Sequence, residues 1–300
     1  MQRFSARSSL PAADYPMTES SKSNDPIGVF DSGVGGLSIF REIRRMLPNE
    51  SLIYIADQAH VPYGPRSLEE VQSFADGITR YLLNLNAKLI VIACNAASAA
   101  ALKYLRVKYP EIPFVGMEPA VKPAAEQTRT RSVGVLATLA TFQGALYASV
   151  IERFAKGVDV SESTCPGLVA QIEKGELDTP ATRAILETAI QPMLRTGIDT
   201  IVLGCTHYPF VIPLIQQIAG PHVQVIDPSP AVARQVQRLL ECKQIIKHQE
   251  IPGRIQLFTT GPQERLQNLL PLLLGSTQEV GILRWEQSPA GMCLIEGESS

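Results

Sequence analysis

Leu89-Ile-Val-Ile-Ala-Cys94-Asn95 recurs in the second half of the chain as Ile201-Val-Leu-Gly-Cys205-Thr206-His207. Each stretch is a short, unbroken run of aliphatic residues that ends in a small polar turn and opens a segment of helical periodicity. That pattern predicts a buried strand feeding a helix. A cysteine stands just past the strand end in both copies. Two matched thiols on two matched scaffolds predict a site between two lobes, with one sulfur on each side of a small ligand. Such a site suits a reaction whose two faces are mirror images.

The duplication extends beyond the cysteines. Ile27-Gly-Val-Phe-Asp31 is echoed by Val133-Gly-Val-Leu-Ala137, and Phe114-Val-Gly-Met-Glu118-Pro119 by Val223-Gln-Val-Ile-Asp227-Pro228. The echoes keep their order and nearly their offset, which predicts two homologous half-structures rather than a short-period solenoid. Strand candidates fall at 27–31, 52–56, 88–93, 113–117, 132–136, 158–162, 199–203, 223–226, 254–258 and 279–285. Helical periodicity separates them, as in Leu37-Ser-Ile-Phe40-Arg-Glu-Ile43, and in Leu68 to Leu85 with Ser67 as N-cap. The expected fold class is α/β, with two pseudo-symmetric lobes. Each is a mostly parallel sheet flanked by helices, and the active site lies in the cleft between them. Residues 26–120 and 229–286 form the first lobe, completed by a helix at 263–274 and the last strand. Residues 121–228 form the second. Residues 1–25 and 287–300, poor in periodic apolarity, are expected to be disordered tails.

Composition narrows the function. The 300 residues are 45% hydrophobic and 19% charged, with a net charge of -2. No basic footprint for nucleic acid or anionic membrane is present. No apolar run approaches the roughly 18 residues that span a bilayer, and no signal-peptide core is seen, so cytoplasmic residence is expected. The five cysteines are odd in number and widely spaced. They define neither a disulfide framework nor a metal site. Cys242 and Cys293 are expected to be small buried hydrophobes, while Cys165, ahead of Pro166-Gly167, stays open.

In parallel sheets ligands bind beyond the C-terminal strand ends. Asp31, Asp57, Cys94, Glu118, Thr138, Cys205 and Asp227 all fall at or just past those ends. A helix N-terminus at each cysteine would stabilise a thiolate and offer N–H groups to a carboxylate, with Asn95 and Thr206 adding hydrogen bonds. Asp31-Ser-Gly-Val-Gly-Gly36 lacks the lysine of a phosphate loop. Its glycines are expected to let backbone approach a small ligand, with Ser32 pointing inward and Asp31 orienting a thiol. His207 stands within reach of Cys205 as a proton-transfer group. Asp57 and Pro62-Tyr63-Gly64 are expected to wall the cleft. Glu173 is either a supporting carboxylate or a solvated helix residue.

Asp31-Ser-Gly-Val-Gly-Gly-Leu-Ser38, Pro62-Tyr-Gly64, Ala93-Cys-Asn95 and Gly204-Cys-Thr-His-Tyr-Pro209 resemble the signature blocks of the bacterial glutamate racemases, within the aspartate/glutamate racemase superfamily. Val133-Gly-Val-Leu-Ala-Thr138 and Phe258-Thr-Thr-Gly261 extend the match over roughly 26–286. The resemblance implies L- and D-glutamate interconversion for peptidoglycan, with no cofactor, no metal, and a small-molecule substrate as partner. It implies that one cysteine thiolate removes the α-proton while the other thiol reprotonates the opposite face. Asp31 would assist Cys94 and His207 would assist Cys205, with Asp57 and Glu173 in support. Ser32, Tyr63, Gly64, Asn95, Ala96, Thr206 and His207, with Asp31, match substrate contacts.

One departure matters. Ala96 stands where the family block carries threonine. A missing hydroxyl to a charged ligand costs about 1.5–3 kcal/mol, on the order of tenfold to a hundredfold in affinity. Gly144, in place of a family serine, is a smaller departure. An aspartate or hydantoin racemase of the same superfamily, and a non-catalytic amino-acid-binding protein on the same fold, stay open as alternatives. No interface is legible, so a homodimer is left open too.

Overall fold

The computed structural model describes residues 23–289 and 291–297. Residues 1–22 of the expected N-terminal tail lie outside the described residues. The strands are β1 (Ile27–Asp31), β2 (Leu52–Ala56), β3 (Leu89–Ile92), β4 (Phe114–Val115), β5 (Ser132–Ala137), β6 (Asp159–Thr164), β7 (Thr200–Gly204), β8 (Gln224–Ile226), β9 (Ile255–Thr259), β10 (Val280–Ser288) and β11 (Gly291–Glu296). They form two sheets, ordered β11-β10-β9-β2-β1-β3-β4 and β6-β5-β7-β8.

Every pairing is parallel except the β10–β11 hairpin. The order β2-β1-β3-β4 of the first sheet reappears as β6-β5-β7-β8 in the second. The sequence repeat is therefore a repeat of sheet topology. After β8 the chain returns to the first sheet, where β9 pairs with β2 and β10 with β9.

Burial on both faces explains the unbroken apolar strands. Ile27 and Val29 of β1 pack with Leu37, Phe40 and Ile43 of the helix Leu37–Met46 and with Val232 and Val236 of the helix Ser229–Cys242. Phe30 faces the other way, toward Phe74 and Ile78 of the helix Leu68–Asn84 and Ala97 and Ala101 of the helix Asn95–Lys108. In the second sheet Val133 and Val135 meet Val121, Tyr147 and Val150, while Leu136, Ile201 and Leu203 join the first cluster. One apolar core thus runs through both lobes. Polar β6, Asp159-Val-Ser-Glu-Ser-Thr164, lies at a sheet edge and is partly exposed, as an edge strand permits.

The C-terminal expectation needs correction. Residues 287–300 are not simply a disordered tail: β10 continues to Ser288, and Gly291–Glu296 returns antiparallel beside it. Leu294 is buried in the core of the first lobe and supplies the driving force. Residues 298–300 lie outside the described residues. Cys242 is also corrected, being exposed, and Cys293 is only half-buried. Both lie on amphipathic elements whose apolar face is filled by neighbours such as Leu240 and Leu294.

Candidate active site

In an open α/β sheet the chain leaves its first strand to opposite sides, and the crevice at that switch point receives ligands. In the first sheet the switch lies between β1 and β3, and in the second between β5 and β7. Cys94 follows β3 and Cys205 follows β7, so each thiol stands at the switch point of its sheet. Both line one cavity of about 30 Å³. Ser32, Pro62, Tyr63, Gly64, Asn95 and Ala96 join Cys94 from the first lobe. Thr138, Val169, Gly204, Thr206 and His207 join Cys205 from the second.

The two thiols are held differently. Cys94 is the N-cap of the helix Asn95–Lys108, and its sulfur accepts the Ala97 N–H at 3.5 Å. Ser32 Oγ lies 3.9 Å from the same sulfur. Burial, and after it the neighbouring Asp31 carboxylate, push the Cys94 thiol well above its ordinary value. Asp31 is itself fully buried, with Oδ2 accepting the Gly36 N–H at 2.8 Å and Oδ1 unpartnered. Burial raises its pKa, opposed chiefly by the charge of His207.

Cys205 has no α-helix directly behind it. A single 3-10 turn, Tyr208–Val211, follows, and the α-helix starts only at Ile212. Prolines at 209 and 213, near the start of each segment, fit this delayed entry. The role of a helix N-terminus is taken by His207, whose Nδ1 lies 3.8 Å from Cys205 Sγ. His207 Nε2 sits 2.8 Å from Glu173 Oε1. Burial alone would lower the His207 pKa, but hydrogen bonds to Cys205 and Glu173 outweigh it and carry it well above the ordinary 6.5. Burial likewise opposes ionisation of Glu173, yet His207, the Val34 N–H and Gln58 hold its pKa below 4.5. Both shifts favour an imidazolium beside a carboxylate, with the imidazole next to the Cys205 thiol.

The Gly-rich turn also brings the two lobes together. A Cβ on Gly33 would fall 1.9 Å from Glu173 Oε1, and one on Gly35 would fall 2.4 Å from His207 Nδ1. Gly33 and Gly35 make room for these second-lobe side chains. Val34 donates its N–H to Glu173 Oε1 at 2.8 Å, and Ser38 Oγ donates to the Thr206 carbonyl at 3.0 Å. The turn is where the first lobe grips Glu173 and the Cys205–His207 loop of the second.

All the expected substrate contacts except Asp31 line the cavity, whereas Asp31 and Glu173 lie behind it, against Cys94 and His207. Asn95 carries the clearest ligand signal: its Oδ1 and Nδ2 are both buried and unpartnered at the cavity wall. Asp57 does not line the cavity. It is fully buried beneath the loop and accepts the Tyr63 hydroxyl at 2.6 Å. Glu118 is exposed and borders a separate cavity where the chain crosses between lobes. Thr138, Val169 and Gly204 were not singled out as contacts, although the strand-end rule already marked Thr138. Cys165 is buried near Cys205, and burial followed by that neighbour push its thiol up to about 12. Among the described residues no group of three or more His, Cys, Asp or Glu is placed to hold a metal ion, and no helix is long and apolar enough to cross a membrane.

Fold and site define a two-lobed α/β protein with a thiol from each lobe on one cavity. The chain belongs to the Asp/Glu/hydantoin racemase family, whose model matches residues 27–236. It is 50% identical over 261 residues to the glutamate racemase of Ectopseudomonas mendocina, covering 87% of this chain and 99% of that one. Glutamate racemase isoform RacE1 from Bacillus anthracis superposes with a TM-score of 0.77 at 34% identity, covering 86% of this chain and 97% of that one. The Francisella tularensis glutamate racemase in complex with D-glutamate superposes with a TM-score of 0.75 at 30% identity, covering 87% and 97%.

Proposed function

We propose that this protein racemises glutamate without a cofactor, by proton transfer between two thiols, and supplies D-glutamate for peptidoglycan from the cytoplasm. The observation that carries the reading is the pair Cys94 and Cys205, set at equivalent strand ends of two like lobes and lining one cavity. The relatives named glutamate racemase support the choice of substrate.

The α-proton of an amino acid is weakly acidic. Its removal needs a base at the α-carbon, donors for the developing negative charge, and exclusion of water. A thiolate on one face takes the proton and a thiol on the other returns one, so the substrate inverts without turning over. The N–H groups opening the helix Asn95–Lys108 hold the α-carboxylate, and the unpartnered Asn95 amide binds the polar groups beside it. Asp31 exchanges protons with Cys94, and the His207 imidazolium with Cys205. Ser32, Tyr63, Gly64, Ala96 and Thr206 complete the contact surface.

Turnover of L-glutamate and L-aspartate, followed side by side by circular dichroism with no cofactor added, tests the reading. Loss of ellipticity with glutamate and little with aspartate is expected. A preference for aspartate, or no change with either, would contradict it.

A further inference from the structure

The proposed reaction accounts for the cavity wall but not for what holds one part of it, the loop carrying Tyr63 and Gly64. That loop has no strand or helix of its own. Its anchor is Asp57, which is fully buried and takes hydrogen bonds from several directions. Oδ2 accepts the Tyr63 hydroxyl at 2.6 Å and lies 2.9 Å from His60 Nδ1. Oδ1 accepts the Thr260 hydroxyl at 2.6 Å and the Trp285 indole N–H at 2.8 Å.

Trp285 is the single tryptophan of the chain and stands on β10, beyond the point where that strand leaves β9. Its ring lies against Phe74 at 5.7 Å and edge-on to His60 at 5.5 Å, while His60 stacks on Phe74 at 3.9 Å. The helix behind is cut away to admit it. A Cβ on Gly77 would fall 2.6 Å from Trp285 Cζ3 and 2.7 Å from the Met292 carbonyl oxygen. Arg80 of the same helix donates to that carbonyl, so the hairpin is clasped on both sides.

We infer that Trp285 is a positioning residue for the substrate site: through its indole N–H on Asp57, the C-terminal hairpin sets the place of Tyr63 and Gly64. The carboxylate is the shared element. Without the indole donor it can shift toward Thr260 and His60, and the Tyr63 hydroxyl follows. Charge-assisted hydrogen bonds of this kind fix geometry strongly in a buried setting. The inference rests on the racemase reading for its kinetic consequence, but not for the coupling itself.

Trp285→Phe keeps an aromatic ring against Phe74 and removes only the donor. The expected result is a KM for glutamate raised about three- to tenfold, with kcat within about twofold of the parent. Hydrogen exchange of the amides at 58–66 should quicken, while those of the second lobe stay unchanged. Tyr63→Phe breaks the same path from the other end, so the double variant should show a KM no higher than Tyr63→Phe alone. An unchanged KM, additive effects, or unaltered exchange at 58–66 would overturn the inference. Absence of glutamate turnover by the parent protein would instead defeat the racemase reading, and the exchange measurement would still decide the coupling. Should Trp285→Phe fail to fold, the parent's lone tryptophan serves as the probe. Its emission should change saturably with D-glutamate and lose that response in Tyr63→Phe; an emission indifferent to ligand would overturn the inference.

Discussion

His207 and Glu173 ionise against the cost of their own burial, and the pH dependence of stability should show it. The raised pKa of His207 contributes stability fully below the unfolded value of about 6.5, lost as pH rises through the folded value. The lowered pKa of Glu173 contributes fully above about 4.5, lost as pH falls through the folded value. The pair is therefore strongest between these limits. Glu173→Gln should cost about 3–5 kcal/mol in that window, because it leaves a buried imidazolium without its counter-ion. Urea denaturation from pH 4 to 9 would show the gap narrowing on both sides; a constant gap would contradict the assignment. Ala96 offers a second check. It lines the cavity with no hydroxyl, and Ala96→Thr should raise kcat/KM for glutamate by about tenfold. The cysteines and His207 were legible because the chemistry lies within a few residues of a strand end. The grip of the Gly-rich turn on Glu173 was not, since its partners are 139 positions apart and a glycine does not announce what it makes room for.

At the scale of elements, helix ends and strands are written in local sequence. Ser67 was expected as an N-cap, and its side chain accepts the Glu70 N–H while Glu70 reaches back to the Ser67 N–H. Ser67→Ala should lower stability by about 1 kcal/mol in the same denaturation assay. All ten strand candidates correspond to strands, most of them through buried apolar runs, with polar β6 at the sheet edge the exception. No sequence pattern marks β11, since Gly291-Met-Cys-Leu-Ile-Glu296 buries a single side chain, Leu294. Cys205 lacks the helix that serves Cys94, for a 3-10 turn containing Pro209 intervenes before the helix begins at Ile212. Symmetry in sequence did not extend to symmetry in the support of the thiols.

At the scale of the molecule, the cavity has room for about one water, by volume, and an amino acid needs more. A wider separation of the lobes would make that room, and at the site the lobes are tied by Val34 and Gln58 on Glu173 and by Ser38 on Thr206. Thiol accessibility follows. Cys242 is exposed, whereas Cys94 is buried and its thiol is raised by burial and then by Asp31. An aromatic disulfide reagent should label Cys242 rapidly at neutral pH and Cys94 far more slowly. Labelling of Cys94 should accelerate with pH and slow again with D-glutamate. Equal rates at the two positions would contradict the burial of Cys94.

The central claim is that two thiols act on opposite faces, and incubation of L-glutamate in D2O tests it most directly. Deuterium at the α-carbon is followed by mass spectrometry in each enantiomer at early times. Two bases predict D-glutamate carrying solvent deuterium while the remaining L-glutamate keeps its proton, with racemisation abolished in both Cys94→Ala and Cys205→Ala. Deuterium entering recovered L-glutamate as fast as product, or racemisation that survives loss of either thiol, would contradict the account.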